Sequence, residues 1–234
     1  MIIIVGASKG IGKAITKVFS DKKLLLISRS KIETSSQYHK HLIGDINHLN
    51  YKKLDEFLEN DIIEAVFFVV GLINKSDDLK LNNDQKDEII NTNFISIVKL
   101  NEYLIRSEKI AQKSLICFFS SVTTLLPRKK QILYCASKTA LNSYYLSLRS
   151  FFYKNKSNIR IANLMLGYFD TEMSAGVKTP FPKRNPDEVA NFLKKNLDKL
   201  NGTYYIPFYW FFINILLSVI PNNIKIKLIN IFKI

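Results

Sequence analysis

Short apolar runs alternate with longer stretches of mixed character along most of this chain. The runs at residues 2–5, 24–28, 42–43, 65–70, 114–119, 160–166 and 202–207 predict strands. The run at 65–70 is apolar without interruption, as expected of a strand covered on both faces in a parallel sheet. Helices are predicted at 10–21, 47–59, 84–106, from the region of Tyr134 to about 153, and at 186–197. The last opens with Pro186, Asp187 and Glu188, residue types that favour a first helical turn. Residues 31–40 read as loop or a short helix, 122–131 as loop, and 168–184 as a mobile lid. Repeated strand–helix alternation predicts an α/β fold with a doubly wound parallel sheet in three layers. The pattern predicts one domain at residues 1–207, followed by an apolar and basic helical tail at 208–234.

Composition narrows the picture little. The chain has 234 residues, 47% apolar and 23% charged, which suits a globular domain with a full core. Lysine and arginine outnumber aspartate and glutamate by 34 − 20 = 14. Such a charge suits nucleic acid, an anionic membrane surface or an anionic ligand. The lysines are dispersed, and Ile and Asn are abundant too, so compositional bias accounts for much of the excess. No helix-turn-helix, zinc-finger or RNA-binding pattern is present, and nucleic acid is not expected as a partner. Cys117 and Cys135 are not spaced as a metal site or redox pair and read as reduced thiols of a cytosolic protein. His39, His41 and His48 lie together, but no cysteine or acidic cluster completes a ligand set, so no metal is expected. Met1 leads straight into the first strand with no signal-peptide pattern, and a cytoplasmic location is expected.

Chemistry enters at Gly6-Ala7-Ser8-Lys9-Gly10-Ile11-Gly12, between the first strand and the first helix. Strand, glycine turn and helix in that order form a dinucleotide cradle. Gly6 permits the tight turn, Gly10 lets backbone approach a pyrophosphate, and Gly12 lets the helix pack closely on the strand. The helix N-terminus then faces the phosphates with free N–H groups. The second strand ends at Ser28-Arg29-Ser30 without an acid. An acid there favours NAD, and a base accommodates the 2′-phosphate of NADP. Arg29, with Lys9 adding charge in the glycine turn, therefore favours NADP(H), leaving NAD(H) open. Asp45 is a candidate for the adenine ring with Ile46 packed near it, although a strand-end turn explains Asp45 equally. Gly71 lets backbone pass close to a ligand, and Gly167 closes the sixth strand.

Tyr134 and Lys138 are four residues apart and share one helix face. A lone phenol, with a pKa of roughly 10, is a poor acid–base group at neutral pH. An ammonium within about 5 Å favours the phenolate and is expected to lower that value. The ordinary alternative is an aromatic–cation pair on a solvated helix. Ser121, 13 residues before the tyrosine, and the glycine turn favour the chemical reading. Residues 6–12, Arg29, Gly71, Ser121 and Gly167 all fall at strand ends, where ligands bind in doubly wound sheets.

Together these residues resemble the classical short-chain dehydrogenase/reductase family over about residues 1–207. The carriers are the glycine turn, Asp45, Asn93, Ser121, Tyr134-x-Ala136-Ser137-Lys138, Gly167 and Thr171. The resemblance implies a Rossmann-type fold binding NAD(P). It implies that Tyr134 is the general acid in carbonyl reduction and the base in alcohol oxidation. Ser121 would hydrogen-bond the substrate oxygen. Lys138 would hold the nicotinamide ribose and depress the tyrosine pKa, Asn93 would position a relay water, and Thr171 would bond the carboxamide. The chain departs from the family at Phe68-Val69-Val70-Gly71, where Asn-Asn-Ala-Gly is usual, and at Val5 and Leu166, where Thr and Pro are usual. These changes are expected to alter hydrogen bonding in the central sheet and the stiffness of nearby turns.

The implied activity is NADPH-dependent reduction of a ketone or aldehyde. A non-catalytic NADP(H) sensor or interaction protein at a membrane surface is the alternative. Residues 208–220 are apolar and aromatic, Pro221 ends the run, and 224–234 mixes lysines with apolar residues. The run is short for a spanning helix, which needs about 20 apolar residues. It suits an interfacial anchor at the inner face of a membrane, or equally a helix buried in the core or in a dimer. The tail is similar to those of short-chain reductases acting on lipid-linked or polysaccharide intermediates. The family resemblance implies a homodimer or homotetramer. Lys178, Lys183 and Arg184 in the lid would permit an anionic substrate.

Overall fold

The computed structural model describes residues 1–33, 36–59, 61–74, 78–177 and 179–231. Its strands are β1 (Ile2–Val5), β2 (Leu24–Ser28), β3 (His39–Ile43), β4 (Ile63–Phe68), β5 (Ile110–Ser121), β6 (Arg160–Leu166) and β7 (Gly202–Ile206). Its helices are α1 (Gly10–Val18), α2 (Tyr51–Leu58), α3 (Asn83–Ile90), α4 (Ser96–Arg106), α5 (Ile132–Lys154), α6 (Asp187–Asn196), α7 (Tyr209–Ser218) and α8 (Asn222–Ile231). The strands pair in parallel in the order β3-β2-β1-β4-β5-β6-β7. The chain winds outward from β1 to β3, returns to place β4 beside β1, and winds outward again. The order reverses between β1 and β4, which opens a crevice at the carboxyl ends of the central strands.

Period-two alternation sorts each strand into two cores. Ile2, Ile4, Leu24, Leu26, Phe67, Cys117 and Leu164 face α1 and α6. Ile3, Val5, Leu25, Ile27, Val66, Phe68, Ile116 and Phe118 face α2, α4 and α5. Both faces are covered, which explains why these strands show apolar runs rather than polar alternation.

Several elements differ from the pattern-based expectation. The strand expected at 42–43 starts at His39, because its backbone pairs with β2 whatever its side chains. The helix expected from 47 is preceded by a 3₁₀ turn, Ile46–His48, whose first N–H groups Asp45 caps. The single helix expected at 84–106 contains a π turn, Asn91–Ile95, between α3 and α4. The sheet is unbroken at Phe68 and Val69. The Phe68 ring stacks on Phe118 across β4 and β5 with centroids 5.4 Å apart, and Val69 N donates to Val5 O at 2.9 Å.

In the tail, α7 is anchored by Trp210 and Leu217, which are buried, while Phe208, Phe212, Leu216 and Val219 are exposed. Among the described residues no helix is long and apolar enough to cross a membrane.

Candidate active site

A cleft of about 630 Å³ opens at the carboxyl ends of β1 to β6. The glycine turn forms one wall. Gly6 has φ of +90°, and a Cβ there would lie 2.7 Å from Val70 N. A Cβ on Gly12 would lie 2.0 Å from Gly6 O, so only glycine lets α1 pack this close to its own turn. No side chain caps α1 and no acid occupies its first turn, which leaves its N–H groups and positive dipole end directed at the cleft. A cradle that any side chain would fill, beneath an uncapped helix N-terminus, fits a dinucleotide pyrophosphate. Ser8, Gly10 and Ile11 line the same wall, and Thr171 lies over Gly10, its Cγ2 3.1 Å from where a Cβ would be.

Arg29 follows β2 at the far end of the cleft. Its guanidinium Nη1 lies 3.8 Å from Asp45 Oδ2 and 3.7 Å from Glu88 Oε1, and it is largely exposed. The other Asp45 oxygen accepts from Asn47 N at 2.8 Å, so the strand-end turn proposed for Asp45 is present. Ile46 is buried in the core while also lining the cleft. Lys9 is an exposed residue that pairs with Glu172 of the lid at 2.6 Å. The lid residue Lys183 donates to Ser174 O at 2.5 Å, and Arg184 pairs with Glu188 at 3.0 Å. Lys178 lies outside the described residues.

At the centre, β5 delivers Ser121 and α5 delivers Tyr134 and Lys138 into one space with Gly71 and Gly167. Ser121 Oγ accepts from Thr123 N at 3.2 Å and hydrogen-bonds Thr123 Oγ1 at 2.9 Å, which fixes its rotamer. Lys138 is buried and donates to Phe119 O at 2.9 Å. Desolvation lowers the ammonium from 10.5 to about 8. The Tyr134 phenol is pushed up to about 12, chiefly by desolvation, against a hydrogen bond from Ser121 and the positive charge of Arg128, which favour ionisation. Burial outweighs both, so the phenol lies above its ordinary value and not below it, as the spacing with Lys138 led one to expect. The ammonium is turned to the β5 carbonyl.

Asn93 sits in the π turn and is fully buried. Its Oδ1 accepts from Leu72 N at 2.7 Å, and its Nδ2 donates to Leu72 O at 2.8 Å and to Ser137 Oγ at 3.1 Å. It ties the segment after β4 to α5 beside Lys138. The extra residue of a π turn re-aims a side chain that a regular helix would direct elsewhere.

One residue of the cleft and one packed behind its wall escaped the sequence reading. Arg128 falls in the loop expected at 122–131, in a basic run with Lys129 and Lys130, yet it is 9% exposed while the lysines are exposed. Trp210 was placed in the tail, yet it is buried with its ring against Tyr168 and Phe181, and its Nε1 would be 2.4 Å from a Cβ on Gly167. The only sequence signal for either is the Arg128/Gln131 spacing and the lone tryptophan.

Comparison with known proteins agrees with this geometry. The chain is 32% identical over 156 residues to 3-oxoacyl-(acyl-carrier-protein) reductase FabG of Buchnera aphidicola subsp. Acyrthosiphon pisum, covering 62% of this chain. It is 28% identical over 203 residues to very-long-chain 3-oxoacyl-CoA reductase of Anas platyrhynchos, covering 79% of this chain. In each case the match spans 64% of the relative's length. A short chain dehydrogenase family protein from Francisella tularensis subsp. tularensis SCHU S4 shares the fold at a TM-score of 0.76 and 18% identity, over 88% of this chain and 96% of that one. So does 4-hydroxyisoleucine dehydrogenase complexed with NADH and succinate, at 0.73 and 20% identity, over 88% and 97%. The family profile for short chain dehydrogenases matches residues 1–180. With the glycine cradle and the Ser121, Tyr134 and Lys138 cluster on one cleft, the chain belongs to the short-chain dehydrogenase family.

Proposed function

We propose that this chain reduces a ketone or aldehyde to an alcohol with NADPH. The observation that carries the reading is the convergence of Ser121, Tyr134 and Lys138 on the cleft that the glycine turn also walls. When bound, the dinucleotide supplies a hydride to the carbonyl carbon. Ser121 holds the carbonyl oxygen and offsets its growing negative charge. Tyr134 donates the proton to that oxygen. At neutral pH the buried phenol, pushed up to about 12, carries the proton that the reduction needs, and the charge growing on the substrate oxygen draws it across. Lys138, whose ammonium donates to Phe119 O, would bond the nicotinamide ribose of a bound dinucleotide, while Asn93 holds α5 and the segment after β4 in register and would border a relay water. Thr171, over Gly10, would bond the carboxamide of a bound dinucleotide. The names of the 3-oxoacyl reductases among the relatives support the direction of reaction.

NADPH is favoured over NADH because Arg29 follows β2 at the position where an acid would otherwise select NAD. Asp45 and Glu88 hold the guanidinium at the cleft edge, and a 2′-phosphate would exchange with them. The test is fluorescence titration with NADPH and NADH on wild type and Arg29→Asp, followed by a carbonyl panel with Tyr134→Phe. NADPH preference that Arg29→Asp abolishes, and a turnover loss of roughly 100- to 10,000-fold in Tyr134→Phe, are expected. Dinucleotide binding with no reduction of any carbonyl would leave a sensor instead of a reductase.

The tail is read as a docking face for anionic lipid at the inner side of a membrane. Its exposed Phe208, Phe212, Leu216 and Val219 adjoin α8, where Lys225 and Lys227 lie among exposed Ile224 and Ile226. Apolar side chains beside lysines, in a chain of net charge +14, complement an anionic surface.

A further inference from the structure

Arg128 has no part in the mechanism above, yet it is buried on the wall of the cleft beside Ser121, Tyr134 and Tyr168. Its environment is neutral. Nη1 donates to Gln131 Oε1 at 2.9 Å, Cζ lies 5.1 Å from the centroid of the Tyr168 ring, and its backbone N donates to Cys135 Sγ at 3.3 Å. Among the described residues no carboxylate forms an ion pair with it. Every other arginine side chain of the sequence bonds a carboxylate or a carbonyl oxygen near the surface, or is exposed.

A buried guanidinium without a counter-charge is costly to a fold. Lys129 and Lys130, its immediate neighbours, stay in solvent, so burial of Arg128 is specific to that residue. Gln131 and Tyr168 hold the planar group in place from an edge and a face, and neither neutralises it. A guanidinium fixed in this way presents its remaining N–H groups as a fork matched to a carboxylate. Arg128, Ser121 and Tyr134 line the same cleft, so an anion bound to the guanidinium shares that space with the proton donor.

We propose that Arg128 makes this enzyme selective for oxo acids, holding the substrate carboxylate while Ser121 and Tyr134 hold the nearby carbonyl oxygen. The proposal rests on the reductase reading and adds the substrate class to it. One guanidinium matches one carboxylate, whereas a phosphate dianion would be left with charge unpaired. Because the cation is desolvated, a neutral ester of the same skeleton leaves it without a partner, and discrimination is sharp.

The test uses the full chain with NADPH and compares 2-oxo, 3-oxo and 4-oxo acids with their methyl esters. Wild type is expected to favour at least one acid over its ester by roughly 30- to 1,000-fold in kcat/KM. Arg128→Met should bring that ratio close to one, and Arg128→Lys, which keeps the charge but not the fork, should retain part of it. NADPH binding by each variant reports that it is folded. An acid-to-ester ratio near one in wild type, or an unchanged ratio in Arg128→Met, would overturn the proposal. A keto-phosphate preferred over every oxo acid would overturn it as well. If no carbonyl is reduced at all, the reductase reading fails separately, and thermal shifts with succinate and NADP⁺ then decide. Stabilisation of wild type but not of Arg128→Met would support a carboxylate site, and no stabilisation of either would refute it.

Discussion

Burial holds the Lys138 ammonium at about 8, well under its ordinary 10.5, and that difference corresponds to about 3 kcal/mol withheld from the folded state at neutral pH. Below about pH 8 the lysine is charged in both folded and unfolded chains, so the penalty is complete. Between about 8 and 10.5 the folded chain has lost the proton and the unfolded chain has not, so wild-type stability rises across that window. Lys138→Met removes the buried cation and leaves Phe119 O without its donor, a loss of about 1 kcal/mol. The variant is therefore expected to be about 2 kcal/mol more stable than wild type at pH 7, with the gap closing towards pH 10.5, and to be inactive as a reductase. Urea unfolding at the two pH values checks this, and a gap that did not narrow would show that the cation is not what strains the fold. The spacing of Tyr134 and Lys138 was legible in the sequence. The direction of the tyrosine shift was not, because desolvation depends on everything packed around the ring.

The first βα unit was predictable, its strand to the residue and its helix to within three residues of its C-terminal end, because strand, turn and helix are adjacent in sequence and the glycines act locally. Gly12 shows how little tolerance that unit has. A methyl group there would meet Gly6 O at 2.0 Å, so Gly12→Ala is expected to cost about 1–3 kcal/mol and to shift the N-terminus of α1 off the pyrophosphate position. Denaturation midpoint and dinucleotide affinity should fall together. An affinity unchanged in a destabilised variant would mean that the helix end does not hold the phosphates. The π turn at Asn91–Ile95 was not visible in the same way. Helical periodicity runs through it, and the extra residue is held by distant partners, Leu72 and Ser137, through the Asn93 amide.

The molecule as a whole is a doubly wound sheet whose last helices are only partly absorbed. Trp210 and Leu217 pin α7 to the body, while the opposite face exposes Phe212 at 60% and Leu216 at 63%. Replacing both exposed residues by serine should leave the core contacts alone and weaken sedimentation with anionic vesicles at least about tenfold, with binding also falling as salt screens Lys225 and Lys227. If wild type ignores vesicles but associates with itself as concentration rises, the face is a subunit interface instead.

The sequence by itself determined the strand order's raw material, the glycine cradle, the Tyr134/Lys138 spacing and the placement of site residues at strand ends. Each of these follows from side-chain period or from neighbours a few residues apart. Only the tertiary structure decided that Arg128 is buried beside Tyr134, that Trp210 packs on Gly167, and that Lys9 meets Glu172 across 163 residues of chain. Such contacts are made by segments distant in sequence, and neither periodicity nor composition records which of them will meet.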